Sequence, residues 1–76
     1  MATKPAIEVR ARPDGTWARQ KQGSSRATSI HATQAAAVKA ARVQARRERT
    51  ELIVKGESGR IQARDSFGND PRRSKG

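Results

Sequence analysis

The feature that most constrains the fold is one long alanine-rich segment, QAAAVKAARVQARRER, in a chain of 76 residues. It predicts a helix over residues 34–49. Thr33 is its expected N-cap, because a threonine hydroxyl can accept a hydrogen bond from a free amide of the first turn. Val38, Ala41 and Ala45 recur at the spacing of one helix face. Small side chains on that face would let the helix lie close to a sheet.

A hairpin pattern precedes the helix. Residues 7–12, IEVRAR, alternate apolar and charged side chains with the period two that is typical of a half-buried strand. Residues 13–15, Pro-Asp-Gly, are a strong turn signal. A second strand is expected over residues 16–20, and the glycine- and serine-rich residues 21–29 either extend it with a bulge or form a loop.

A second hairpin pattern follows the helix. TELIVKG, residues 50–56, predicts a third strand, and residues 56–59 predict the turn. RIQARDS, residues 60–66, predicts a fourth strand with Ile61 and Ala63 inward. The order β-β-α-β-β therefore predicts a small α+β domain, an antiparallel sheet with one helix packed on one face.

The length allows one domain. We expect a flexible N-terminal arm over residues 1–6, the domain over residues 7–68 and a basic disordered tail over residues 69–76. The chain has one Trp and one Phe. We expect Trp17 to join the core and Phe67 to anchor the C-terminal turn against it.

Three segments, DGTW, RATSIHATQAAAVKAAR and ELIVKGESGRIQARDSFGNDP, resemble the small bacterial proteins grouped as domain of unknown function 2188. The resemblance spans residues 7–71 and implies the same β-β-α-β-β domain, but it implies almost nothing about function. Two positions depart from the family pattern. Ala36 stands where an acidic residue would complete a capping box, and Arg19 stands where an apolar residue is usual. The tail PRRSKG is also more basic than the family pattern, which favours a polyanion as partner.

Charge is the strongest indication of function. Seventeen Lys and Arg against seven Asp and Glu give a net charge of +10. Such an excess attracts polyanions, and the planar fork of Arg suits phosphate oxygens. We therefore expect contact with nucleic acid, DNA in the first instance, through duplex phosphates with little sequence specificity. The candidate residues come from three parts of the chain. Two strands supply Arg10, Arg12, Arg60 and Arg64, and the tail supplies Arg72 and Arg73. A stripe on the helix, whose cations have no acid four positions before them, supplies Lys39, Arg42, Arg46 and Arg49.

Other interpretations of these charges stay open. The cationic stripe is also what a solvated helix face looks like, and arginine richness also follows from a GC-rich genome. The domain could instead be an accessory module that binds an acidic protein, or it could associate with itself, as a monomer in equilibrium with a weak homodimer.

From the sequence we do not expect an enzyme. It has no cysteine, no glycine-rich phosphate loop and no zinc-binding spacing, so we expect no cofactor and no metal. His31 has no neighbouring ligand or acid, and Asp65 and Asp70 are expected to form turns. No apolar run is long enough to cross a membrane, and no signal peptide is visible, so we expect a cytoplasmic protein.

Overall fold

A computed structural model describes residues 5–67 and shows a small α+β domain, which confirms the predicted fold class. Its elements, in chain order, are β1 (Ile7–Ala11), β2 (Trp17–Lys21), β3 (Ser29–His31), α1 (Gln34–Glu48), β4 (Glu51–Lys55) and β5 (Ile61–Ser66). Ordered structure begins before β1, because Ala6 is buried and its carbonyl accepts a hydrogen bond from the Gln22 amide at 2.8 Å.

The five strands form one mixed sheet in the order β3-β2-β1-β4-β5. All neighbouring pairs are antiparallel except the central pair, β1 and β4, which is parallel. The sequence prediction lacked both the short strand β3 and this parallel pair. The two differences have one cause: three strands precede α1, so the chain enters the helix where β1 ends, and α1 returns it to where β1 begins.

The core lies between the helix and one face of the sheet. Its buried members are Ile7 and Val9 of β1, Leu52 and Val54 of β4, and Ala37, Ala41 and Ala45 of α1. The alanines lack bulk, so the helix axis can approach the sheet closely. Trp17, Val38 and Phe67 are half-buried and pack against this cluster, which confirms that Trp17 and Phe67 belong to the core.

Both ends of α1 are capped. Thr33 Oγ1 accepts a hydrogen bond from the Ala36 amide at 3.2 Å, which confirms the predicted N-cap. At the other end Arg49 adopts a left-handed conformation, with φ 55°, and the Thr50 amide donates to the Ala45 carbonyl at 3.0 Å. Such a left-handed residue ends a helix while it satisfies the last carbonyls. Arg49 is therefore the C-cap rather than the last helical residue.

The sheet face away from α1, here called the outer face, carries Glu8, Arg10, Glu51, Ile53, Lys55, Ile61 and Arg64. The predicted inward position of Ile61 is wrong: Ile61 pairs with Lys55 and is 51% exposed. A register shift between Val54 and Lys55 is the cause, because a bulge breaks the alternation of side chains along β5. Ala63, which pairs with Val54, lies on the helix side as predicted.

Three loops meet at one end of the sheet. Since β1, β3 and β4 run in the same direction, the β1–β2 turn, the β4–β5 turn and the start of α1 all lie beyond their carboxyl ends. Contacts tie this end together: Gln34 Nε2 donates to Gln62 Oε1 at 2.8 Å. The parallel pairing of β1 and β4 makes the two turns, residues 12–16 and 56–60, neighbours although they are far apart in sequence.

Candidate nucleic-acid interface

The exposed side of α1 is strongly cationic. Four exposed side chains form what we call the helix surface: Lys39, Arg42, Arg46 and Arg47. Separations of three and four residues place Lys39, Arg42 and Arg46 along one side of the helix, and Arg47, next to Arg46, extends this surface around the exposed part of the helix. The only acid in α1 is Glu48, and it lies on the opposite flank, with its Oε2 3.9 Å from Lys21 Nζ of β2. Arg47 was absent from the sequence prediction, although its adjacency to Arg46 could have indicated it.

Two cations of the helix surface have partners within the fold. Arg42 Nη2 lies 3.7 Å from Asp65 Oδ2. The guanidinium of Arg46 lies over the ring of Phe67, 5.8 Å from its centroid. The expectation that the stripe has no acidic partner is therefore wrong for Arg42. Asp65 belongs to β5 rather than to a turn, and its pairing with the inward residue Leu52 brings it to the helix side.

These partners hold the two arginines only weakly. The side chains of Arg42 and Asp65 are 47% and 51% exposed. An ion pair this exposed contributes between about 0 and 1 kcal/mol to stability. Arg46 is also exposed, and a cation–π contact at an exposed site contributes about 0.5–1 kcal/mol. Both guanidinium groups can therefore exchange their present contacts for a phosphate.

Arg10 and Arg64 lie on the other side of the molecule, on the outer face of the sheet. Acids accompany them there. Glu8 is buried, and its Oε2 lies 3.7 Å from Lys55 Nζ, while Glu51 begins β4 on the same face. The strands of the outer face thus present three cations and two acids.

The remaining candidates within residues 5–67 lie outside both surfaces. Arg12 follows β1, with its Nε 3.9 Å from Asp14 Oδ1, and Arg60 is an exposed residue of the β4–β5 turn. Arg49 is exposed at the end of α1. Arg72 and Arg73 lie outside the described residues. A rigid partner therefore cannot contact all the candidates at once, because the helix surface and the outer face lie on opposite sides of a two-layer domain.

One arginine that the prediction did not include is structural. Arg19 lies on the helix side of β2, where its Nη1 donates to the Ala40 carbonyl at 3.5 Å and its Nε donates to Ser29 Oγ at 3.0 Å. Ser29 Oγ in turn lies 2.7 Å from His31 Nε2. This network ties the edge strand β3 to β2 and α1. It gives Arg19 a structural role at a position where the resemblance led us to expect an apolar residue.

The rest of the described chain has few features of other kinds of site. No group of three or more His, Asp or Glu within residues 5–67 could hold a metal ion. None of the helices in that range has the length and apolar character needed to cross a membrane.

Comparison with known proteins gives one match. Residues 7–67 match the model of a family described as "Uncharacterized protein conserved in bacteria (DUF2188)". No curated protein and no solved structure matches the chain. The match covers nearly all of the described domain, and its description assigns no activity.

Proposed function

The chain belongs to this family of uncharacterised bacterial proteins, DUF2188, and we propose that it binds duplex nucleic acid, DNA in the first instance, through phosphate contacts made by α1. One observation carries the proposal. Within residues 5–67 the four cations of the helix surface form one ion pair with an acid, Asp65, in a chain whose net charge is +10. The outer face of the sheet balances its three cations with two acids, so it attracts a polyanion less.

The shape of α1 suits this partner. A helix of 15 residues is about 22 Å long. The major groove of DNA, about 12 Å wide, admits a helix, and its phosphates line both edges. Cations about one turn apart can then reach successive phosphates, and the fork of arginine can bind two oxygens of one group.

The same helix favours low sequence specificity. Bases are read by side chains such as Asn, Gln and Arg that reach their edges. The other exposed residues of α1 are Ala35, Ala36 and Val43, whose side chains offer no hydrogen-bonding group. Gln44 is buried, and its amide donates to Glu48 Oε2 at 3.0 Å. Phosphate contacts position a protein on DNA without reading its sequence.

The alternative function, binding of a protein partner to the outer face of the sheet, has less support. Its most exposed apolar residues are Ile30 and Ile61, which are 46% and 51% exposed. Ile30 belongs to β3 and Ile61 to β5, at the two edges of the sheet. Four strand spacings separate them, about 19 Å. They therefore do not form one continuous apolar patch. We propose that the chain acts on bacterial DNA in the cytoplasm, as a monomer or weak homodimer.

The test is a titration of a fluorescent blunt duplex with the protein at several salt concentrations. If the four cations of the helix surface each neutralise one phosphate, log affinity falls with log salt at a slope of about −3.6. A second duplex of unrelated sequence should bind with similar affinity. Absent binding, or binding that salt does not weaken, would contradict the proposal.

A further inference from the structure

A cleft of about 240 Å³ lies at the end of the sheet where the two hairpin turns meet. The β1–β2 turn supplies most of its wall, including Arg12 and Trp17, and the β4–β5 turn supplies Glu57. Ligand pockets for larger molecules begin at about 300 Å³. The cleft is therefore sized for a single flat ring system.

Trp17 gives the cleft an aromatic wall. It is half-buried, packs against the core and also lines the cleft. The core contact fixes the indole, so little conformational freedom is lost when a flat ring stacks against it. Aromatic side chains held in this way are the usual platforms for unpaired bases.

Arg12 and Glu57 give the cleft two opposite charges that do not neutralise each other. Arg12 contacts Asp14, at the 3.9 Å limit of an ion pair. Within residues 5–67, the Glu57 side chain has no ion pair or hydrogen bond. An unpaired acid is unexpected in a chain with seventeen cations and seven acids. The structure thus leaves one cation and one anion available to contact a ligand bound between the two turns.

We propose that this cleft binds one unpaired guanine base, stacked on Trp17. The Watson–Crick edge of guanine presents two adjacent donors, N1–H and N2–H, which match the two oxygens of the Glu57 carboxylate. The O6 and N7 atoms of guanine are acceptors for an arginine fork, which Arg12 supplies. Uracil and thymine present one donor between two acceptors to the same carboxylate. The inference rests on the proposed function in one respect: bound nucleic acid would supply the base, at a strand end or at an unpaired position.

The sole tryptophan provides the signal for a test. Fluorescence of Trp17 is followed while the protein is titrated with three forms of one duplex: blunt, with a single unpaired guanine at the 3′ end, and with a single unpaired thymine there. Guanosine monophosphate and uridine monophosphate are titrated separately, to distinguish a base in nucleic acid from a free nucleotide. The variants are Glu57→Gln and, as a control with the same charge change on the outer face, Glu51→Gln.

We expect the guanine overhang to quench Trp17 and to bind roughly 5- to 100-fold more tightly than the thymine overhang. Glu57→Gln should remove this preference, and Glu51→Gln should keep it. Quenching by guanosine monophosphate as strong as by the overhang would identify the free nucleotide as the ligand source. Equal binding of all three duplexes would overturn the inference while leaving the proposed function intact. Failure of every duplex to bind, with guanosine monophosphate still preferred, would overturn the proposed function alone.

Discussion

Arg42 of α1 and Asp65 of β5 form an ion pair of 3.7 Å, which joins the helix surface to the edge strand. Among the residues that the structure describes, Asp65 is the one acid in an ion pair with a cation of that surface. The pair thus has two effects that differ in sign. It adds slightly to stability, and it lowers the positive potential that a phosphate would meet.

Asp65→Asn separates these two effects. The free energy of unfolding should fall by less than about 1 kcal/mol, because the pair is half exposed. Duplex affinity at low salt should rise by about two- to five-fold, since Arg42 is released and one acid is lost. Urea unfolding and duplex titration measure the two quantities. Glu51→Gln removes an equal charge from the outer face and should raise affinity less.

The N-cap of α1 should be important for stability. Thr33 Oγ1 accepts a hydrogen bond from the Ala36 amide, and the first turn contains no acidic residue that could substitute for it. Thr33→Ala should therefore lower the free energy of unfolding by about 1 kcal/mol. Thr28→Ala is the matched control, at an exposed position before β3. Urea denaturation followed by circular dichroism compares them, and equal losses would argue against the cap.

The close approach of helix and sheet depends on alanine. Ala41 is fully buried against β1 and β4, so a larger side chain would push the layers apart. Ala41→Leu should cost about 1–3 kcal/mol of stability. Ala35→Leu makes the same change at an exposed helix position and should be nearly neutral. A stable Ala41→Leu variant would mean that the layers can separate without loss.

Asp14 should contribute to the acid sensitivity of the fold. The amide and hydroxyl of Thr16 donate to Asp14 Oδ1 at 3.0 and 2.5 Å, and these hydrogen bonds lower the pKa of Asp14 from its usual 3.8. The folded state thus favours the ionised carboxylate. Its contribution to stability is present above about pH 4 and is lost as pH falls through the lowered pKa.

Asp14→Asn should accordingly lose less stability than the wild type on acidification. Urea midpoints measured between about pH 5 and pH 2 give the comparison, and the difference between the two proteins isolates Asp14 from the other carboxylates. Parallel losses in both proteins would show that the Asp14–Thr16 turn does not contribute.

Sequence patterns predicted those helices and strands whose side chains repeat at a regular spacing. Period-two alternation located β1, the alanine-rich run located α1, and Thr33 identified its start. The short strand β3 was not predicted, because three residues are too few to show a repeating pattern. Its pairing depends on the register Trp17↔His31, which only the folded sheet establishes.

The candidate site was predictable only in part. The positions of Lys39, Arg42 and Arg46 on one side of the helix followed from their spacing. Their relation to the sheet did not, because Asp65 reaches Arg42 only through its pairing with β4. The cleft between the two turns could not be predicted from the sequence either. It results from the parallel pairing of β1 and β4, which brings together Trp17 and Glu57.

The central claim is that the helix surface, and not the outer face of the sheet, contacts the duplex. Two double variants with the same charge loss test it: Lys39→Gln with Arg46→Gln, and Arg10→Gln with Arg64→Gln. All four residues are exposed, so both variants should fold, which circular dichroism checks. The measurement is the salt dependence of duplex affinity. We predict that the helix variant reduces the magnitude of the slope, from about −3.6 to about −1.8, and that the sheet variant leaves the slope nearly unchanged. Equal slopes in the two variants, or a larger change in the sheet variant, would contradict the claim.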